Sequence, residues 1–395
     1  MSAPLKVGII GLAEAGNLGD DLILIATVNA VYAASPQAEV SFVSFGQVLD
    51  WDRLSQMSGR TYSVQRILAR TEIPIFRQNA RVHRDRDVVI FGGGGLLQTS
   101  HQINRPYGWL SYLPSAGTGS PRVLATGLGL GPISEAWVHR LRRMGTPFDL
   151  SWFRDPDSVA LSRDELWWPG EACRDFVDEE FLLTLPFKRK ERRSGTRRLG
   201  IALRAWPGLS VDAAASHVEA VARRHLCEDL VFFVLESNRG RGVDVNFSEA
   251  VAKRLSRPAR VRAYEARVLI DFMEDLASVD LAISMKLHSS AIWGAFAVPM
   301  YPIYYAPKVA AFFGVEYRGF EVVDEIVPVP VMTKNAPRAQ ETIVANLQEL
   351  AEKRGAEGSR FSLADRYRYQ VENLARAAIR RLCLLPRIKK EPSYE

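Results

Sequence analysis

The feature that most constrains this chain is a recurring unit: a short apolar run, a glycine-rich or polar turn, then a stretch of helical length. LKVGIIGL (5–12) leads through AEAGNLGDD into LILIATVNAVYAAS. AEVSFVSFG (38–46), DVVIFGGGG (87–95) and RVLATGLGLGP (122–132) repeat the apolar run. Runs that are apolar throughout, without alternation, are strands buried on both faces. Strands that alternate with helices form parallel β/α/β units in a doubly wound sheet. From 133 to 185 the pattern is less regular, and then it starts again. RLGIALRAW (198–206), DLVFFVLES (229–237), DLAISM (280–285) and VPMYPIYY (298–305) read as strands. Helical segments lie at 211–226 and at VLIDFMEDLAS, HSSAIWGAFA and PKVAAFFG.

The basic stretch KRKERRSGTRR (188–198), with Pro186 and Gly195 nearby, separates the two series. Domain boundaries fall in polar stretches of this kind. The expected organisation is therefore an N-terminal Rossmann-like domain at 1–186 and a linker at 187–197. A C-terminal Rossmann-like domain at 198–360 and a helix and tail at 361–395 complete it. Two such α/β domains face each other across a cleft. Their ligands bind beyond the carboxyl ends of the strands.

A length of 395 residues suits two cores rather than one. The 47% hydrophobic and 24% charged content is that of a globular chain. No apolar run reaches the ~20 residues of a membrane span. The first apolar run is followed by Glu14, Asn17 and Asp20, which suits a buried strand and not a signal peptide. Cys173, Cys227 and Cys383 are scattered, so neither a disulfide framework nor a zinc site is expected, and a reducing cytoplasm is. The net charge of +6 favours anionic partners. The basic stretch lacks interleaved aromatics, which argues for a solvated linker and against nucleic acid. The segment FSLADRYRYQVENLARAAIRRLCLLP is amphipathic with a basic face. Its apolar residues Leu363, Tyr367, Val371, Leu374 and Ile379 are expected to pack on the protein. Peripheral contact with the inner membrane face is the alternative.

The strand ends carry the candidate chemistry. After the first strand come Gly16, Asn17, Gly19, Asp20 and Asp21, at a helix N-terminus that suits an anion. The spacing fits neither a dinucleotide fingerprint nor a P-loop, and taken alone the loop is better explained as a tight turn with Asp20 as helix cap. Gly92, Gly93, Gly94 and Gly95 admit either close approach of a ligand or close helix–sheet packing. Arg204 ends a strand in ALRAW and has the fork for a carboxylate or phosphate. Lys286 and His288 stand at the next strand-to-helix switch, Ser289 and Ser290 open the helix, and Lys308 stands at the switch after that. Two cations and a histidine at adjacent strand ends suit an anion site.

In this order GNLGDD, DVVIFGGGGLL, FRDPDS, IALRAW, SMKLHSS and YYAPKV resemble the polysaccharide pyruvyl transferases, over about residues 7–315. The resemblance implies a two-domain fold like that of the GT-B glycosyltransferases. It implies transfer of pyruvate from phosphoenolpyruvate onto a sugar of a cell-surface polysaccharide or its lipid-linked precursor, as a ketal. Phosphoenolpyruvate is then the donor substrate, and neither a metal nor another cofactor is expected. Arg204, Lys286, His288 and Lys308 fall on the family's arginine, arginine, histidine and lysine positions, with Lys286 and Ala306 as departures. The expected substrate-binding set is Arg204, Lys286, Lys308, Asn17, Gly93, Gly94, Gly95 and Ser289. His288 is the expected general acid, and Asp20 the expected base, with Asp155 as an alternative. The rival function is that of a nucleotide-sugar glycosyltransferase of similar shape, or of a relative that binds without turnover.

Overall fold

A computed structural model describes residues 4–69, 83–99, 106–113, 121–185, 196–237, 242–328 and 336–357. The expected linker falls mostly, and the C-terminal segment 361–395 wholly, outside the described residues.

The first half runs β1 (Lys6–Ala13), α1 (Leu18–Ala34), β2 (Glu39–Ser44), α2 (Trp51–Ser58), β3 (Val64–Leu68) and β4 (Val88–Leu97). It continues through α3 (Pro106–Leu110), β5 (Arg122–Leu130), α4 (Glu135–Met144), β6 (Leu150–Phe153), α5 (Pro156–Ala160), β7 (Glu171–Ala172) and α6 (Glu179–Thr184). Its strands form one parallel sheet in the order β3-β2-β1-β4-β5-β6-β7. The second half runs β8 (Arg197–Ala202), α7 (Val211–Arg224), β9 (Cys227–Val234), α8 (Val243–Arg254), β10 (Ala259–Ala263) and α9 (Leu269–Leu276). Then come β11 (Leu281–Ser284), α10 (Leu287–Ala295), β12 (Met300–Tyr304), α11 (Pro307–Phe312), β13 (Glu321–Val322) and α12 (Ala339–Glu357). Its sheet order is β10-β9-β8-β11-β12-β13, with β13 antiparallel. The expected pair of Rossmann-like α/β domains is present.

The central strands carry the apolar runs because both of their faces are covered: Val88, Val89, Ile90 and Phe91 have no exposed surface. The edge strands β3 (VQRIL) and β10 (ARVRA) did not stand out in the sequence. Both are only partly buried along their length and carry polar or charged residues, Gln65 and Arg66 in β3 and Arg260 and Arg262 in β10, as edge strands do. In both sheets the strand order reverses around the first strand, between β1 and β4 and between β8 and β11. Such reversals open a crevice at the carboxyl ends of those strands. The GNLGDD loop, Arg204 and Lys286 follow the ends of β1, β8 and β11, and the glycine run lies inside the carboxyl half of β4.

The halves are stitched together through the loop before α1. Leu18 N–H donates to the Leu235 carbonyl at 2.9 Å, and Ser237 N–H to the Gly16 carbonyl at 3.0 Å. Asn17 and Glu236 form the antiparallel bridge between them. Arg53 makes a two-pronged ion pair with Asp271 at 2.8 and 3.0 Å. The helix α12 lies within the stretch expected to belong to the second domain, 198–360. It nevertheless returns to the first, packing on α1 and β5. Ala339, Ile343 and Leu347 on it are fully buried, and Arg338 just before it bonds Asp178 at 2.7 Å. Cys173 and Cys227 are both buried free thiols. Among the described residues no helix is long and apolar enough to cross a membrane.

Candidate functional site

The loop from β1 to α1 is organised by buried carboxylates. Glu14 has a φ of 55° and no exposed surface. It accepts hydrogen bonds from Leu49 N–H at 2.9 Å, Arg66 Nε at 2.6 Å and the Ser44 hydroxyl. Asn17 caps α1, its side-chain oxygen accepting from Gly19 N–H at 3.1 Å, so that oxygen is committed to the helix and not turned to a substrate. Asp20 therefore does not hold the cap position. Its carboxylate lies beside the glycine run, where a Cβ on Gly94 would come 3.1 Å from Asp20 Oδ1. The deeply buried acid is its neighbour. Asp21 accepts from Glu14 N–H at 2.6 Å and from the Tyr264 hydroxyl of the other domain at 2.7 Å. Burial pushes its pKa up to about 7 against the opposing pull of those two hydrogen bonds.

The glycine run packs closely against neighbouring side chains. Gly93 and Gly94 have φ of 61° and 71°, a region that favours glycine. A Cβ on Gly93 would lie 2.2 Å from Ile23 Cγ2 of α1, so Gly93 serves helix–sheet packing. Gly94 faces Asp20, and Gly95 borders Gln98 and Arg154. Arg154 reaches Asp175 at 3.4 Å and Asp155 at 3.5 Å. Asp155 itself caps α5, accepting from Ser158 N–H at 2.7 Å.

Across the cleft the second domain brings its candidates together. The Lys286 ammonium is 2.6 Å from Asp244 Oδ2 and 3.7 Å from Glu236 Oε2, with 8% of the residue exposed. It was expected as a substrate cation, but its charge is balanced by two carboxylates. Ser289 was expected to face the substrate. It is fully buried instead, donating to the Lys286 carbonyl at 2.8 Å and sharing a 2.8 Å hydrogen bond with Ser284. The serines of SMKLHSS thus lock the turn from β11 into α10, which aims Lys286 and His288 at the cleft.

His288 projects against the first domain, and a Cβ on Gly19 would come 1.6 Å from His288 Nδ1. Only glycine leaves room for the ring there. The Nε2 atom is enclosed and has no hydrogen-bond partner among the described residues. Burial lowers the pKa of His288 to about 4; Asp175 opposes this, and the charges of Arg154, Lys308 and Lys286 add to it. These surroundings favour a neutral imidazole. The expected role of protonated general acid is therefore at odds with the site's electrostatics.

Tyr305 follows β12 and is 5% exposed. The Arg204 guanidinium carbon lies 5.9 Å from the centre of its ring, and the Trp206 ring meets it edge-on with centroids 5.0 Å apart. Burial alone would raise the phenol's pKa, but Lys308, Arg204 and Lys286 together bring it below the ordinary value. Ala306 occupies the cap position of α11 and supplies no capping side chain. Arg204, Lys286, His288 and Lys308 thus influence a common region, joined by Arg154, Asp175, Glu236, Asp244 and Tyr305. Arg154 and Tyr305 lie inside the motifs FRDPDS and YYAPKV, and Glu236 ends a strand, so position could have flagged them. Nothing local marks Asp175 or Asp244.

A cavity of about 380 Å³ opens further along the seam, lined by Gln47, Val48, Ser237, Glu265, Ala266 and Arg267 among others. Gln47 Oε1 accepts from Ala266 N–H at 2.9 Å across it. No group of three His, Cys, Asp or Glu side chains among the described residues is placed to hold a metal ion.

No family model and no curated protein sequence matches the chain. Its likeness to solved structures is extensive. The chain is similar in fold to UDP-N-acetylglucosamine 2-epimerases. The putative enzyme from Listeria monocytogenes aligns with a TM-score of 0.51 at 11% identity, over 99% of this chain and 100% of that one. MnaA of S. aureus with UDP aligns with a TM-score of 0.52 at 9% identity, over 89% and 88%. The Neisseria meningitidis epimerase bound to UDP-GlcNAc aligns with a TM-score of 0.51 at 10% identity, over 96% and 100%. At these identities the likeness bears on the fold, and the fold is the GT-B-like pair of domains expected from the sequence.

Proposed function

We propose that this chain is a transferase that moves pyruvate from phosphoenolpyruvate onto two hydroxyls of a saccharide, free or lipid-linked, as a ketal. The observation that carries the reading is the convergence of Arg204, Lys286, His288 and Lys308 on one cleft, in the motifs that resemble pyruvyl transferases. A phosphate and a carboxylate on a three-carbon donor need several cations and N–H donors to leave water. Arg204 and Lys308 supply charge from one domain, with Arg154 facing them from the other. Lys286 acts indirectly, holding Glu236 and Asp244 in place.

Proton transfer to the donor's methylene carbon leaves an oxocarbenium-like centre on the neighbouring carbon. A sugar hydroxyl attacks that centre and passes its proton to the neutral His288. Phosphate departs with the C–O bonding pair, and the second hydroxyl closes the ring, its proton going to phosphate.

A second reading has its own support. The fold is shared with UDP-N-acetylglucosamine 2-epimerases, and Glu236 and Asp244 offer carboxylates in the second domain, where a ribose would need one. On this reading the donor is a nucleotide-sugar. Melting curves separate the two, since a ligand that binds the folded state raises Tm by mass action. Phosphoenolpyruvate is expected to raise it, and UDP and UDP-sugars are not. Mass spectrometry of saccharides after incubation should then show one ketal-linked pyruvate. Stabilisation by UDP-sugars with none by phosphoenolpyruvate would transfer the assignment to the second reading.

A further inference from the structure

The pyruvyl-transfer chemistry requires a proton donor at the methylene carbon, and burial disfavours the protonated form of His288 that would supply it. Tyr305 is a buried group with a proton to give that faces the same cations. It stands at the carboxyl end of β12, two strands from the reversal at β8, and its ring contacts both Trp206 and the Arg204 guanidinium. Its backbone is fixed as well, because the Tyr317 hydroxyl donates to the Tyr305 carbonyl at 3.0 Å.

Resting on that reading of the function, we propose that Tyr305 is the catalytic acid that protonates the methylene carbon of phosphoenolpyruvate. The phenol O–H bond breaks as the enol π pair forms the new C–H bond. The phenolate left behind is balanced by Arg204 and Lys308, the same two cations that hold the donor. The proton that His288 takes from the attacking hydroxyl is released to solvent, and solvent reprotonates the phenolate, so both residues end each turnover unchanged. The surrounding cations lower the phenol's pKa, which strengthens it as an acid near neutral pH. This division gives the imidazole and the phenol opposite tasks: one accepts a proton and the other donates one.

The test is Tyr305→Phe, which removes one oxygen and keeps the ring against Trp206. Loss of a positioned acid is expected to lower kcat by about 10²–10⁴-fold, with a much smaller change in KM for phosphoenolpyruvate. The wild type should lose activity as pH rises through the phenol's depressed pKa, and the residual activity of the variant should lack that limb. Ultraviolet difference titration of both proteins gives a readout independent of turnover. One tyrosine titrating below the rest should be present in the wild type and missing from Tyr305→Phe. A variant that keeps more than about a third of the wild-type kcat, or an unchanged alkaline limb, overturns the role of Tyr305 and leaves pyruvyl transfer standing. Absence of any ketal from the wild type overturns both.

Discussion

Lys286 shows how far a residue's surroundings can redirect its chemistry. As a side chain in SMKLHSS it is a cation available to an anion. In the fold it neutralises Glu236, in the connection that leaves β9, and Asp244, in the first turn of the helix that follows. Removing one partner of a buried pair leaves the other charges without compensation, which costs about 3–5 kcal/mol. Lys286→Ala is therefore expected to lower stability by roughly that amount in denaturant titrations, with or without phosphoenolpyruvate. A lysine used only to hold substrate would leave the unliganded stability unchanged. Gly19 makes a similar point. Its missing side chain is required by His288, which comes from the other domain.

At the scale of elements, α1 is the piece that joins the domains. Its N-terminus receives His288, its first turns carry Asp20 and Asp21, and its outer face is covered by α12. Asp21 ties it to Tyr264, and burial raises the pKa of that carboxyl to about 7. A carboxyl whose pKa is raised in the folded state stabilises the protein fully below its unfolded value, near ~4. That contribution is lost as pH rises through about 7. Melting temperature should therefore fall between pH ~4 and about 7 through this group. Asp21→Asn, which still pairs with Glu14 N–H and the Tyr264 oxygen, should flatten that slope and melt higher than the wild type at alkaline pH. An unchanged slope in Asp21→Asn would remove Asp21 from the account.

For the whole molecule, the question is what holds the two sheets face to face. The backbone pairing of Gly16–Leu18 with Leu235–Ser237 and the return of α12 to the first domain are fixed by the chain itself. The Arg53–Asp271 pair looks like a clasp, but its side chains are 35% and 41% exposed. Exposed pairs contribute roughly 0.2–1 kcal/mol and weaken with salt. A double-mutant cycle at Arg53 and Asp271 should give a coupling in that range which shrinks at high ionic strength. A coupling several times larger would make the pair a principal determinant of domain closure.

Strand order along the chain, the division into two α/β halves and the strand-end positions of Arg204, Lys286, His288 and Lys308 were legible in the sequence. They rest on local patterns: apolar runs where both faces are covered, and glycine or polar turns where they end. The edge strands β3 and β10 were hidden because partly buried edge strands tolerate polar and charged residues. The return of α12 to the first domain was hidden because a helix's own sequence does not say which neighbour it covers. Which cations are free, which carboxylates balance them and whether His288 is charged depended on groups far apart in sequence. Charge interactions and desolvation act through space, so only the tertiary structure could decide them.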